Sequence, residues 1–131
     1  MNVTFLKVHD NKTKIQRLLE VIHHHFYKGD RILIMVSNAT AANYINELLW
    51  STPPESFIPH IMTDASSMEQ LVITQKKNNV NRSSVVVNLS SEIWEESIEH
   101  LYELMDTTSK EKETLSRQKV QHYGVDLVRV L

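Results

Sequence analysis

The chain is predicted to fold as one three-layer α/β/α domain around a mainly parallel sheet, Rossmann-like but without a phosphate-binding loop. Three observations point there. Arg31 to Val36 and Ser84 to Leu89 are nearly continuous apolar runs, as expected of strands buried on both faces. The opening reads strand, helix, strand, helix, the order that builds parallel crossovers. At 131 residues, with 41% hydrophobic and 23% charged content, the chain suits a single globular domain over residues 1–131 that buries roughly two thirds of its unfolded surface.

Each element has its own signal. Asn2 to Val8 alternates apolar and polar residues and reads as a first strand. Asp10, Asn11 and Thr13 offer capping oxygens for a helix whose Ile15, Leu18, Leu19, Ile22 and Phe26 share one face, and Gly29 ends it. After the strand Arg31 to Val36, Ser37 or Asn38 caps a second helix with Ala41, Ala42, Ile45, Leu48 and Leu49 inward. Residues 61–69 carry no clear signal. Gln70 to Thr74 reads as a short strand, Gln75 to Ser83 as a polar loop and Ser84 to Leu89 as a further strand. Ser90 or Ser91 is expected to cap a third helix with Ile93, Trp94, Ile98, Leu101, Tyr102 and Met105 inward and Glu92, Glu95, Glu96, Glu99 and Glu103 solvated. A fourth helix starts at Thr108 or Ser109 and ends at Gly124, and Val125 to Leu131 closes the chain as a strand.

Composition narrows the function. There are no cysteines, so disulfides, thiolate metal sites and thiol catalysis are excluded, and a cytoplasmic protein is expected. No apolar run approaches the ~20 residues that span a bilayer, and no signal-peptide pattern opens the chain. The net charge of −2 lacks the basic excess of a protein that grips nucleic acid by its phosphates. Work at DNA would therefore run through another protein, with no direct nucleic-acid or membrane contact. Neither strand-to-helix turn, His9 to Thr13 or Ser37 to Thr40, holds a glycine, so no glycine loop cradles a phosphate and no cofactor is expected. His23, His24 and His25 point about 100° apart on a helix and do not converge on a metal. Of the three, His25 is the ring placed to pack partly inward. No serine stands in a nucleophile elbow, and nothing pairs His9, His60, His100 or His122 with a nucleophile.

All three prolines fall at positions 53, 54 and 59, which makes that segment a stiff loop leaving the second helix. Trp50 and Phe57 sit on it, either as interface anchors or as pins between loop and core. The string Leu48-Leu49-Trp50, then Pro54-Glu55-Ser56-Phe57-Ile58-Pro59-His60, preceded by Gly29-Asp30-Arg31-Ile32-Leu33-Ile34, resembles the chi subunit of bacterial DNA polymerase III. The resemblance is sharp over residues 28–60 and weaker over 85–89 and 115–124. It implies a noncatalytic accessory protein of the clamp loader, with Trp50 and Phe57 facing the psi subunit or an accessory DNA helicase. In such a protein Glu55, Ser56 and His60 have no catalytic task and are expected to cap the proline loop.

The fourth helix gathers Arg117, Lys119, His122 and Tyr123 after the mixed-charge run Lys110 to Glu113. It reads either as a solvated charged face or as a cationic pocket with an aromatic wall, suited to an acidic peptide ending in a hydrophobic residue. The resemblance favours the pocket, as the site for the acidic C-terminal tail of single-stranded-DNA-binding protein. It implies Arg117 as the arginine that grips the tail, with Lys119, Tyr123 and Lys112 around it. Val120 departs from a usual aromatic and Glu113 from a helpful lysine, for which Lys110 or Lys112 would compensate. From other classes, a small α/β enzyme using a histidine base and a purely structural subunit remain as alternatives.

Overall fold

The computed structural model describes residues 1–51 and 58–131. Pro53, Pro54, Glu55, Ser56 and Phe57 lie outside the described residues, and with them the expected loop and the Phe57 anchor. After the first strand (β1, Asn2–Val8), Asp10 caps helix α1 (Asn11–Lys28), its carboxylate accepting from the Thr13 amide at 2.7 Å. Gly29 stops the helix at φ 93°, a left-handed conformation that glycine adopts without a Cβ clash. β2 (Ile32–Met35) is buried along its whole length. Asn38 then accepts from the Ala41 amide at 2.9 Å to open α2 (Ala39–Ser51). Trp50 therefore stands in the last turn of α2 rather than on the loop. The segment without a sequence signal supplies a two-residue strand, β3 (Ile61–Met62), and β4 (Leu71–Thr74) follows.

The loop between β4 and β5 (Val85–Asn88) is polar, as expected, yet closely tied. Asn81 is fully buried and donates to the Ile32 and Glu69 carbonyls, both at 3.1 Å, while its own amide oxygen accepts from Ser83 at 2.6 Å. Beyond β5 the expectation fails. Residues 90–99 form no helix, and His100–Asp106 is a strand, β6. Two causes are visible. Local bonds compete with helical ones, since Asn88 donates to the Glu92 carbonyl at 2.8 Å and Ser90 accepts from the Glu92 amide at 3.2 Å. In addition, β6 pairs with β1 along all seven residues and with β5 on its other side. Glu103 is accordingly buried, not solvated. The expected fourth helix is present as α3 (Lys110–Tyr123), capped by Ser109, and a 3-10 turn (Val125–Leu127) leads into β7 (Val128–Val130).

Among the described residues the sheet has seven strands in the order β3-β4-β2-β5-β6-β1-β7, and every pair is parallel. Its faces separate two cores. Ile32, Ile34, Val85 and Val87 meet Leu18 and Ile22 of α1 and Ala42, Ile45 and Leu49 of α2. Leu33, Met35, Val86, Phe5 and Leu101 meet Trp94, Ile98 and Val80 from irregular segments, with Val120 and Tyr123 of α3. The third layer is thus one helix completed by loops.

Candidate functional site

A cleft of about 420 Å³ opens at the carboxyl ends of β2, β5 and β6, beneath α3. Crevices of open parallel sheets form at that end, where neighbouring connections leave to opposite faces. Helical spacing turns Lys112, Leu115, Ser116 and Lys119 of α3 towards it. Ser37 and Asn38 arrive from the end of β2, and Lys14 reaches in from α1. Ser116 is buried as a brace, donating to the Lys112 carbonyl at 2.9 Å and accepting from the Asp106 amide at 3.1 Å.

The floor of the cleft is a buried ionic network. Lys119 Nζ lies 2.9 Å from Glu103 Oε1 and donates to the Ser90 carbonyl at 2.7 Å. Glu103 Oε2 accepts from Asn88 Nδ2 at 2.8 Å and from the Tyr123 hydroxyl at 2.6 Å, and that hydroxyl accepts from the Trp94 amide at 2.9 Å. Burial pushes the Glu103 carboxyl above its ordinary value, against the pull of Lys119 and the two hydrogen bonds. Burial and the Glu103 charge push the Tyr123 phenol well up, so it remains a donor. Lys119 and Tyr123, expected as walls of a tail pocket, are committed to this internal network. They support the cleft from within.

Arg117 lies elsewhere on α3. Its side chain is two-thirds exposed, and its Nη2 and Nε lie 2.8 and 3.1 Å from Glu113 Oε2, one turn back. Glu113, where a lysine was the helpful residue, is thus the partner of Arg117. Lys112 stands at the cleft mouth with Lys14, which sequence reasoning missed because the first helix gave no sign of facing the last one. Glu103 was missed because its spacing matched a solvated helical face. The cleft itself combines amines at the mouth with Leu89, Leu104 and Leu115 in its wall, an arrangement that can seat an anionic group on an apolar body.

At the far end of α2, Trp50 is 60% exposed. Its ring lies 5.8 Å from that of His60, which is within hydrogen-bond distance of the Ile58 carbonyl (2.7 Å) and Asn46 Oδ1 (2.9 Å). Of the histidine triplet, His25 is buried, with Nδ1 2.7 Å from Asp30 Oδ2 and Nε2 2.7 Å from the Tyr102 hydroxyl. A base oriented by a carboxylate is an element of nucleophilic catalysis. Here burial raises the Tyr102 pKa, so this hydroxyl is held neutral rather than activated. Among the described residues no three histidine or acidic side chains are grouped to hold a metal ion, and no helix is long and apolar enough to cross a membrane.

No curated protein matches the chain. The family model described as DNA polymerase III chi subunit, HolC, matches residues 1–126 of the 131. Among the described residues it spans every strand but the last, the three helices, the cleft and Trp50. The chain belongs to the DNA polymerase III chi subunit family.

Proposed function

We propose that this protein is a noncatalytic, cytoplasmic adaptor that links the DNA polymerase III clamp loader, or an accessory helicase, to single-stranded-DNA-binding protein. The family match over residues 1–126 carries the reading. The acidic C-terminal tail of single-stranded-DNA-binding protein lies along α3, its terminal carboxylate taking the Arg117 fork and its acidic residues facing Lys112, Lys110 and Lys14. Arginine suits the task because its planar guanidinium grips a carboxylate with two parallel hydrogen bonds. The tail must displace Glu113 from that fork, at a modest cost for an exposed pair. Trp50, with Phe57 beside it in sequence, faces the psi subunit or the helicase. Asn38 at the cleft and Trp50 are twelve residues apart along α2, about 18 Å at 1.5 Å per residue. The length of α2 thus separates the cleft that carries Lys112 and Lys14 from Trp50.

The net charge of −2 agrees with an adaptor that has no DNA groove of its own. The test is retention on immobilised single-stranded DNA at physiological salt. The protein is expected to be retained only when single-stranded-DNA-binding protein coats the DNA. Trp50→Ala should keep that retention and lose psi or helicase, by about 2 kcal/mol or more for an anchor ring. Equal retention on bare DNA contradicts the proposal.

A further inference from the structure

Sheets that are parallel throughout are ordinarily covered on both faces. In this one, the face that packs α1 and α2 is open over the start of β1 and over β7. Leu6 and Val8 of β1 are buried, whereas Thr4 is half-buried and Asn2 exposed. The open strip is a pocket of about 390 Å³, at the opposite end of the sheet from the cleft under α3. Parallel register sets its floor. Tyr102, Thr4 and Arg129 stand abreast on β6, β1 and β7, and His100 and Asn2 form the next row. Strands about 4.8 Å apart, with same-face residues about 6.6 Å apart, bring these polar groups within reach of one small molecule. Arg129 makes no ion pair among the described residues.

We propose that this pocket binds a hydroxylated phosphate monoester, its phosphate held by Arg129 and His100 and contacted by the Tyr102 hydroxyl. Three donor groups arriving from two rows suit a tetrahedral oxyanion better than a planar carboxylate. Asp126 lines the same pocket from the 3-10 turn. Its carboxylate repels a phosphate placed against it but accepts a hydrogen bond from a hydroxyl carried on the ester's carbon frame, at a distance from a phosphate seated on Arg129, which inorganic phosphate cannot offer. The site is separate from the tail-binding surface and does not depend on that assignment.

Behind the pocket, the Tyr102 hydroxyl is backed by His25 and Asp30. Burial holds His25 neutral against the pull of Asp30, and His24 and His100 oppose its protonation further. With Asp30 accepting from Nδ1, the Tyr102 hydroxyl donates inward to Nε2. An anion beside Tyr102 reverses this preference. His25 takes up a proton and donates to the tyrosine oxygen, and the hydroxyl turns to the ligand. Facing His25 are Asp30 and His24 from the α1 side and Tyr102 and His100 from β6, with Lys28 3.8 Å from Asp30 and Glu99 3.5 Å from His100.

The test uses glycerol 3-phosphate and inorganic phosphate as probes, followed by amide chemical shifts, with calorimetry in buffers of different ionisation enthalpy. Glycerol 3-phosphate should give saturable shifts at His100, Tyr102 and Arg129, with net proton uptake that fades above neutral pH. Arg129→Ala, an exposed edge-strand change, should weaken binding about tenfold or more and leave tail-peptide binding unchanged. Tyr102→Phe should reduce the proton uptake. An absence of saturable shifts at millimolar ester, or binding undiminished in Arg129→Ala, overturns the site. Equal or tighter binding of inorganic phosphate overturns the ester assignment, and proton uptake undiminished in Tyr102→Phe overturns the role of the tyrosine.

Discussion

Lys119 shows how a residue type can mislead until its neighbours are known. In the sequence it is one of several cations on a helix. In the structure it is 4% exposed and shares its charge with Glu103, also buried. Removing one partner of such a pair leaves an uncompensated charge in a medium that solvates it poorly. Lys119→Ala should therefore destabilise the fold by about 3–5 kcal/mol in urea denaturation. The double change Lys119→Met with Glu103→Leu should recover much of that loss. A single change that costs no more than a surface substitution would refute the buried pair. His25 makes a second residue-scale prediction. Its pKa lies below the ordinary 6.5 because burial disfavours the charged form, so its contribution to stability is complete above that value and is lost as pH falls below it. Asp30, held below 3.8 chiefly by its hydrogen bond to His25, acts in the same direction at lower pH. Thermal stability should fall between about pH 7 and pH 5, and His25→Gln should flatten that slope.

At the scale of elements, most of the order was legible in the sequence. Caps at Asp10, Asn38 and Ser109, the stop at Gly29 and the unbroken apolar runs are local signals, and local signals set where helices and buried strands begin and end. The failure at residues 90–106 is equally physical. Ile98, Leu101, Tyr102 and Met105 fit a helical spacing, but β6 places Tyr102 on one face of the sheet and Leu101 and Met105 on the other. The polar Glu103 between them concealed the alternation, because only its distant partner Lys119 makes it a core residue. The same blindness to long-range partners hid Lys14 from the reading of the cleft. Hydrogen exchange separates the two accounts. Amides of Leu101 to Met105 should be strongly protected and most of those from Ser91 to Ser97 poorly so. Continuous protection from Glu92 to Met105 would restore the helix.

At the scale of the whole molecule, a chain of net charge −2 places Lys14 and Lys112 at one cleft, Arg117 on the same helix as Lys112, and an exposed tryptophan at the other end of α2 from the cleft. That division suits a protein whose partners, rather than DNA itself, provide the contact with the replication fork. The most direct measurement is the affinity of a synthetic peptide copying the C-terminus of the cognate single-stranded-DNA-binding protein. The free-acid peptide should bind, and more weakly as salt rises. Arg117→Ala should reduce affinity roughly ten- to a hundredfold, the loss of a charge-assisted contact worth about 1.5–3 kcal/mol. Amidating the peptide should cost a similar amount without adding to Arg117→Ala, because both remove one interaction. Glu113→Ala should strengthen binding by freeing the fork. Failure of the free-acid peptide to bind the wild-type protein, or equal binding to Arg117→Ala, would contradict the account.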